Sequence, residues 1–249
     1  MIDPLLLAVF FFVAALLYAS VGHAGASAYL AIMALSGVAP DVARPTALAL
    51  NIVVATFVAL RFWRGGYIFG RALLPFLIGS IPLAFLGGSL PLAPALYRKL
   101  VGLVLLFAAA GMALTARRAA AADTGGALPH VPTIPAVGIG ASIGLLSGLT
   151  GTGGGIFLSP VLLFAGWAET RAASGLAAPF ILGNSIVGLA GNFSRLAALP
   201  STLPLWIGAI VIGAVIGSEL GNRRAPTLLL RRALSVVLVI AGFKLIFLG

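Results

Sequence analysis

The chain has 249 residues, of which 61% are hydrophobic and 8% charged, and its mean hydropathy is +1.18. Soluble domains carry roughly a quarter charged residues, so the composition excludes a soluble fold and calls for a protein embedded in lipid. The formal charge of +10 lies in short Lys/Arg clusters between apolar runs, as in loops facing the cytoplasm, and makes no basic face for nucleic acid. With no cysteine, disulfides, iron–sulfur clusters and thiolate metal sites are excluded. Two histidines and five carboxylates are too few for a metal cluster, and no cofactor is expected. Met1-Ile2-Asp3-Pro4 lacks the basic residues of a cleaved signal, so the first apolar segment reads as mature membrane domain.

That first apolar region runs from about Leu5 to Gly37. As one helix it would measure about 50 Å, against about 30 Å of hydrocarbon. Two shorter pieces meeting at Gly22–Gly25 fit instead. Asp41, Arg44 and Pro45 mark a turn, and a span from Thr46 to Phe62 follows. Further spans cover about Ala72–Leu90 and, after Pro91, Pro94, Arg98 and Lys99, Leu100–Leu114. An Ala-rich, then Pro-rich linker covers residues 119–135. The pattern then restarts: Ala136–Gly166 is again too long for one helix and is broken at Gly151–Gly155. Glu169 and Arg171 hold a turn, and spans follow at Ala173–Phe193, Leu203–Leu220 and Leu234–Leu248. The expected fold is an all-α polytopic membrane protein of two homologous repeats, residues 1–118 and 136–249. Each repeat is a glycine-broken segment plus three spanning helices.

Charge decides between two topologies. If each broken segment crosses the membrane, the basic residues divide almost evenly. If each dips in and returns, the repeats are inverted and one side gathers Arg61, Arg64, Arg71, Arg117, Arg118, Arg171, Arg223, Arg224, Arg231 and Arg232. The other side keeps Arg44, Arg98, Lys99, Arg195 and Lys244. The second division obeys the positive-inside rule, so inverted repeats with both termini outside are expected.

The chemistry concentrates at the breaks. In Thr150-Gly151-Thr152-Gly153-Gly154-Gly155 the glycines free backbone N–H groups, and the helix resuming near Ile156 aims its positive end at them. Helix N-termini bind anions in this way, and the two threonines add hydroxyls. Non-helical backbone is tolerated at membrane depth only inside protein or along a cavity, and paired breaks in two halves point to a transport site. In the first half Gly22, His23, Ala24 and Gly25 take the same place, with His23 at the position of Thr152, and the two tips are expected to converge near the midplane. His23 would tune anion affinity by its charge. Asn51, Asn184 and Ser185 lie inside spans as helix-to-helix glue or as lining for a polar substrate. Gly140, Gly144 and Gly148 form a small-residue packing stripe. Gly154→Val is expected to abolish transport with folding largely intact, by blocking the backbone's approach to the anion and resisting φ > 0.

Two repeats each opening on a broken helix, the second with Gly151–Gly155 followed by Pro160, resemble the sulfite exporter TauE/SafE family. The first copy departs from the pattern at His23 and Ala24. The resemblance implies a multi-pass permease of the inner membrane for sulfite, organosulfonates or related sulfur-containing anions. A permease for a carboxylate, or an assembly partner without transport, stays open beside it. An intramembrane enzyme lacks its paired carboxylates, nucleophile or metal. The expected partners are a small anion and the lipid bilayer, with homodimerisation left open.

Overall fold

Glycine and proline punctuate this chain, and they set where its helices start and stop. The computed structural model describes residues 3–20, 23–121, 130–222 and 227–247, of which 115–121, 221–222 and 227–233 in backbone only. Among the described residues there is no strand. The first broken region is α1 (Pro4–Ser20) and α2 (Ala26–Leu35), followed by α3 (Pro40–Arg64), α4 (Gly70–Ser89) and α5 (Pro94–Ala121). The second is α6 (Thr133–Thr150) and α7 (Gly155–Phe164), followed by α8 (Thr170–Gly191), α9 (Leu203–Asn222) and α10 (Thr227–Phe247). A short 3-10 helix, Phe193–Ala198, links α8 to α9. α3, α4, α5 to Leu114, α6, α8 and α9 to Leu220 are long and apolar enough to cross a membrane.

Several boundaries differ from the sequence reading, and Arg171, expected in a turn, lies in the first turn of α8 after its N-cap Glu169. Asp41, Arg44 and Pro45 belong to α3 rather than to a turn before it. Pro40 opens that helix, where a missing N–H costs nothing because first-turn donors have no intrahelical partner. Likewise Pro94 starts α5, so Arg98 and Lys99 ride on its opening turns. The connection between the halves is also shorter than residues 119–135, since α5 continues to Ala121 and α6 begins at Thr133.

Packing follows the small residues. On α6, side chains at Gly140, Gly144 and Gly148 would run into the backbone of α4 at Phe76, Ser80 and Ala84. Both residue numbers rise together, so the two helices run the same way at very close range. α1 and α9 repeat the arrangement: Trp206 donates from Nε1 to the Pro4 carbonyl at 3.2 Å, and Gly213 and Gly217 face Phe12 and Leu16. Within lipid, such backbone approach is what holds helices together, because the bilayer supplies no hydrophobic drive between them. α3 and α8 run in opposite senses, with Asn51 against Ser185 and Leu48 against Gly188. So do α5 and α10, where Gly102 meets Gly242 and Ile246, and Gly242 meets Leu106. α3 and α8 are the most enclosed of the spanning helices, half to two-thirds buried over their apolar windows. They carry the polar residues described next.

Candidate functional site

α6 ends at Thr150 and α7 begins at Gly155, and the residues between are all buried. Gly151, Gly153 and Gly154 have φ of 86°, 73° and 84°. A residue with a Cβ pays roughly 1–2 kcal/mol to sit there, which is why glycine recurs at this break. α7 then points its N-terminal end at the break, as expected for a region that attracts negative charge.

The polar partners of this tip come from both halves of the chain. Asn51 on α3 donates from Nδ2 to the Thr152 carbonyl and to Ser185 Oγ on α8, each at 3.3 Å. Asn51 Oδ1 is buried without a partner among the described residues. Thr150 Oγ1 donates to the Leu146 carbonyl at 2.6 Å and meets Thr152 Oγ1 at 3.1 Å. Its carbonyl accepts from the Tyr97 hydroxyl at 3.0 Å. Gly153 abuts Asn51, Ile181 and Ser185, whereas Gly154 and Gly155 abut the apolar Ile143, Phe180 and Ile181. The tip is thus polar on the Gly153 side and apolar on the other. Asn184 turns along its own helix, donating to the Phe180 carbonyl at 2.9 Å.

The residue that sequence reasoning assigned to a turn is the most unusual one here. Arg44, 1% exposed, lies inside the protein. Its Nε donates to the Gly148 carbonyl at 2.9 Å, and Nη1 to Leu90 at 3.2 Å. Nη2 donates to Gly88 at 2.8 Å, to Gly148 at 2.6 Å and to Gly87. These are the last carbonyls of α4 and α6, so the guanidinium sits at the negative ends of two helix dipoles. No carboxylate pairs with it among the described residues. Arg44 also adjoins the tip, since a Cβ at Gly151 would lie 3.0 Å from the Arg44 carbonyl.

The first half's tip reaches the second half at α7. Gly22 lies outside the described residues. Gly25 has φ of 94° and caps α2 as Gly154 caps α7, while Ala24 is buried. A Cβ at Gly25 would press on the Tyr29 ring at 3.1 Å. His23 Nε2 is 3.0 Å from Ser159 Oγ on α7, so its ring meets that helix beyond the break rather than Thr152. Tyr18 Oη and Ser27 Oγ are 2.6 Å apart beside it.

Cavities lie at the N-terminal ends of both central helices. At the α3 end, one of about 400 Å³ is lined by Pro40, Asp41, Arg44, Tyr97, Arg98 and Arg195. Another, of about 360 Å³, shares Pro40, Tyr97 and Arg98 and reaches Lys244, whose Nζ donates to the Leu35 carbonyl at 2.8 Å. At the α8 end the cavity is only about 30 Å³, enclosed by Tyr18, His23, Met112, Ser159, Thr170 and Ser174. Because α3 and α8 are antiparallel, these cavities lie toward opposite ends of the bundle.

Comparison with known proteins gives a consistent picture. The sulfite exporter TauE/SafE family matches residues 6–245. The chain is 42% identical over 242 residues to a probable membrane transporter protein, y4hK, of Sinorhizobium fredii, covering 97% of each chain. No solved structure matches the chain.

Proposed function

The chain belongs to the sulfite exporter TauE/SafE family and is a multi-pass membrane transporter, and we propose that it carries small sulfur-containing anions, sulfite or organosulfonates, past the buried break at Gly151–Gly155. The observation that carries this reading is the placement of the break. It lies against Asn51 and Ser185, partway along the antiparallel α3–α8 pair, with cavities at the two opposite ends of that pair. A path through the protein must pass between those cavities, and the break lies between them. The cavity at the α3 end, about 400 Å³, is much larger than that at the α8 end, about 30 Å³, an asymmetry that an alternating-access cycle would produce.

On this reading residues 1–118 and 136–249 are repeats related by an axis in the membrane plane. Support comes from helix directions: corresponding helices α3 and α8 run in opposite senses, as do α5 and α10. α1 follows α9, and α9 opposes α8 if both cross, so α1 and α3 run the same way. The intervening α2 must then bring the chain back, which makes each broken segment a dip and return. The repeats also exchange partners, α1 packing on α9 and α6 on α4. The face bearing Arg44, Arg98, Lys99, Arg195 and Lys244 is the basic-poor one and lies outside.

The test is purified protein in liposomes, offered sulfite, sulfate, sulfoacetate and a short carboxylate in turn. Saturable uptake of sulfite or sulfoacetate supports the assignment. Uptake of the carboxylate alone would move the substrate class, and uptake of none would defeat the reading.

A further inference from the structure

We propose that the cavity walled by Arg44, Arg98 and Arg195 is a distinct anion-binding vestibule, in which an oxyanion is held before it reaches the glycine break, with Arg44 at its floor. The inference rests on the transport reading above and adds a site to it. Three arginines and one carboxylate, Asp41, line this cavity. Among the described residues none of the three arginines is paired with a carboxylate. Cations lining a low-dielectric cleft focus the field there and raise the local concentration of an anionic substrate.

Arg44 is suited to receive that substrate. A guanidinium has five N–H donors in a rigid fork matched to oxyanions. The carbonyls of Gly87, Gly88 and Gly148 occupy Nε and Nη2, while Nη1 has one acceptor among the described residues, Leu90, which leaves its second hydrogen for a ligand. Carbonyl dipoles fix the group without cancelling its unit charge, so little freedom is left to lose on binding. The floor communicates with the break directly. Arg44 touches Gly151, and Tyr97, on the same wall, donates its hydroxyl to the Thr150 carbonyl. The cavity of about 400 Å³ has room for more than a bare inorganic anion, and Leu92 and Pro94 give it an apolar wall. Its chemistry fits an oxyanion head on the arginines with a short organic tail on that wall.

The experiment measures half-saturation for ethanesulfonate and sulfite in liposomes, at low and high ionic strength, for wild type and five variants. Arg98→Gln and Arg195→Gln should each raise half-saturation by about tenfold or more, as loss of one charge-assisted contact does, and flatten its salt dependence. Arg44→Lys keeps the charge and loses the fork, and should weaken binding in protein whose helical content and monodispersity match wild type, even if its melting temperature falls with the lost carbonyl contacts. Asp41→Asn should act with the opposite sign and lower half-saturation. Lys99→Gln, an exposed neighbour outside the cavity lining, should change nothing. Unchanged half-saturation and salt slope in Arg98→Gln and Arg195→Gln would overturn the vestibule, as would an equal effect of Lys99→Gln. A folded Arg44→Lys with wild-type affinity would remove Arg44 from the site. Wild-type protein that moves neither anion would defeat the transport reading itself, so the two failures are separable.

Discussion

Gly153 and Gly154 share a left-handed backbone, yet a side chain at each would meet different surroundings. At Gly154 a Cβ would lie 2.8 Å from Ile143 Cγ2 and 2.9 Å from Phe180 Cε1. The sequence suggested that Gly154→Val would block the anion and leave folding intact. The apolar packing instead makes it a folding mutation, and its melting temperature in detergent should fall by several degrees, as overpacking of about 1–3 kcal/mol implies. An unchanged melting curve with lost uptake would return Gly154 to the anion path. His23 is different, because Ser159 can accept from a protonated or donate to a neutral ring, so the contact survives either state. His23→Asn keeps a hydrogen-bonding group toward Ser159, so transport should be retained. Loss of sulfite uptake by folded His23→Asn would instead make the imidazole a required ligand. Arg44 shows why the candidate site was only half legible. With Asp41 and Pro45 beside it Arg44 reads as part of a turn, so nothing local marks an inward-turning arginine. Its acceptors, Gly87, Gly88, Leu90 and Gly148, come together only in the tertiary fold.

At the scale of helices, the breaks were legible because an apolar run too long for one crossing held glycines at its centre. Both breaks fall there, between α1 and α2 and between α6 and α7. The start of α3 was not, because Asp41, Arg44 and Pro45 together imitate a loop. A proline in an opening turn removes little hydrogen bonding, and the arginine's charge is met by carbonyls of other helices rather than by water. The stripe on α6 was read correctly from its spacing of four, and the structure adds that its partner is α4. A contrast within one helix checks this. Gly144→Val would collide with Ser80 backbone, whereas Gly138 faces open space. Gly144→Val should therefore lower the melting temperature measurably, and Gly138→Val should leave it within a degree or two. Equal effects would mean that helix propensity, rather than close approach, decides.

Across the whole molecule, the inverted arrangement can be tested at corresponding connections of the two halves. Ala39, before α3, and Ala165, before α8, are both exposed, and the chain has no cysteine of its own. Ala39→Cys and Ala165→Cys should react with an impermeant thiol reagent from opposite sides of the membrane. Labelling from one side would restore a parallel duplication. Helix count and the positions of the breaks follow from hydropathy, but the exchange of α1 and α6 between halves does not, because partner choice depends on small-residue surfaces meeting in three dimensions. The same holds for the site, where a glycine tip of the second half closes on Asn51 of the first. Passage of an anion at that contact is tested most directly by Gly153→Ala, whose Cβ would press on Asn51 Nδ2 and on Ser185 Oγ and Ile181 Cγ2, each of these last two 2.9 Å away. With wild type and variant at matched incorporation in liposomes, wild type should take up sulfite saturably. The variant should be slower by about tenfold or more, the effect of some 1.4 kcal/mol on the barrier, with its helical content unchanged. Equal uptake by the two proteins would contradict an anion path at the break.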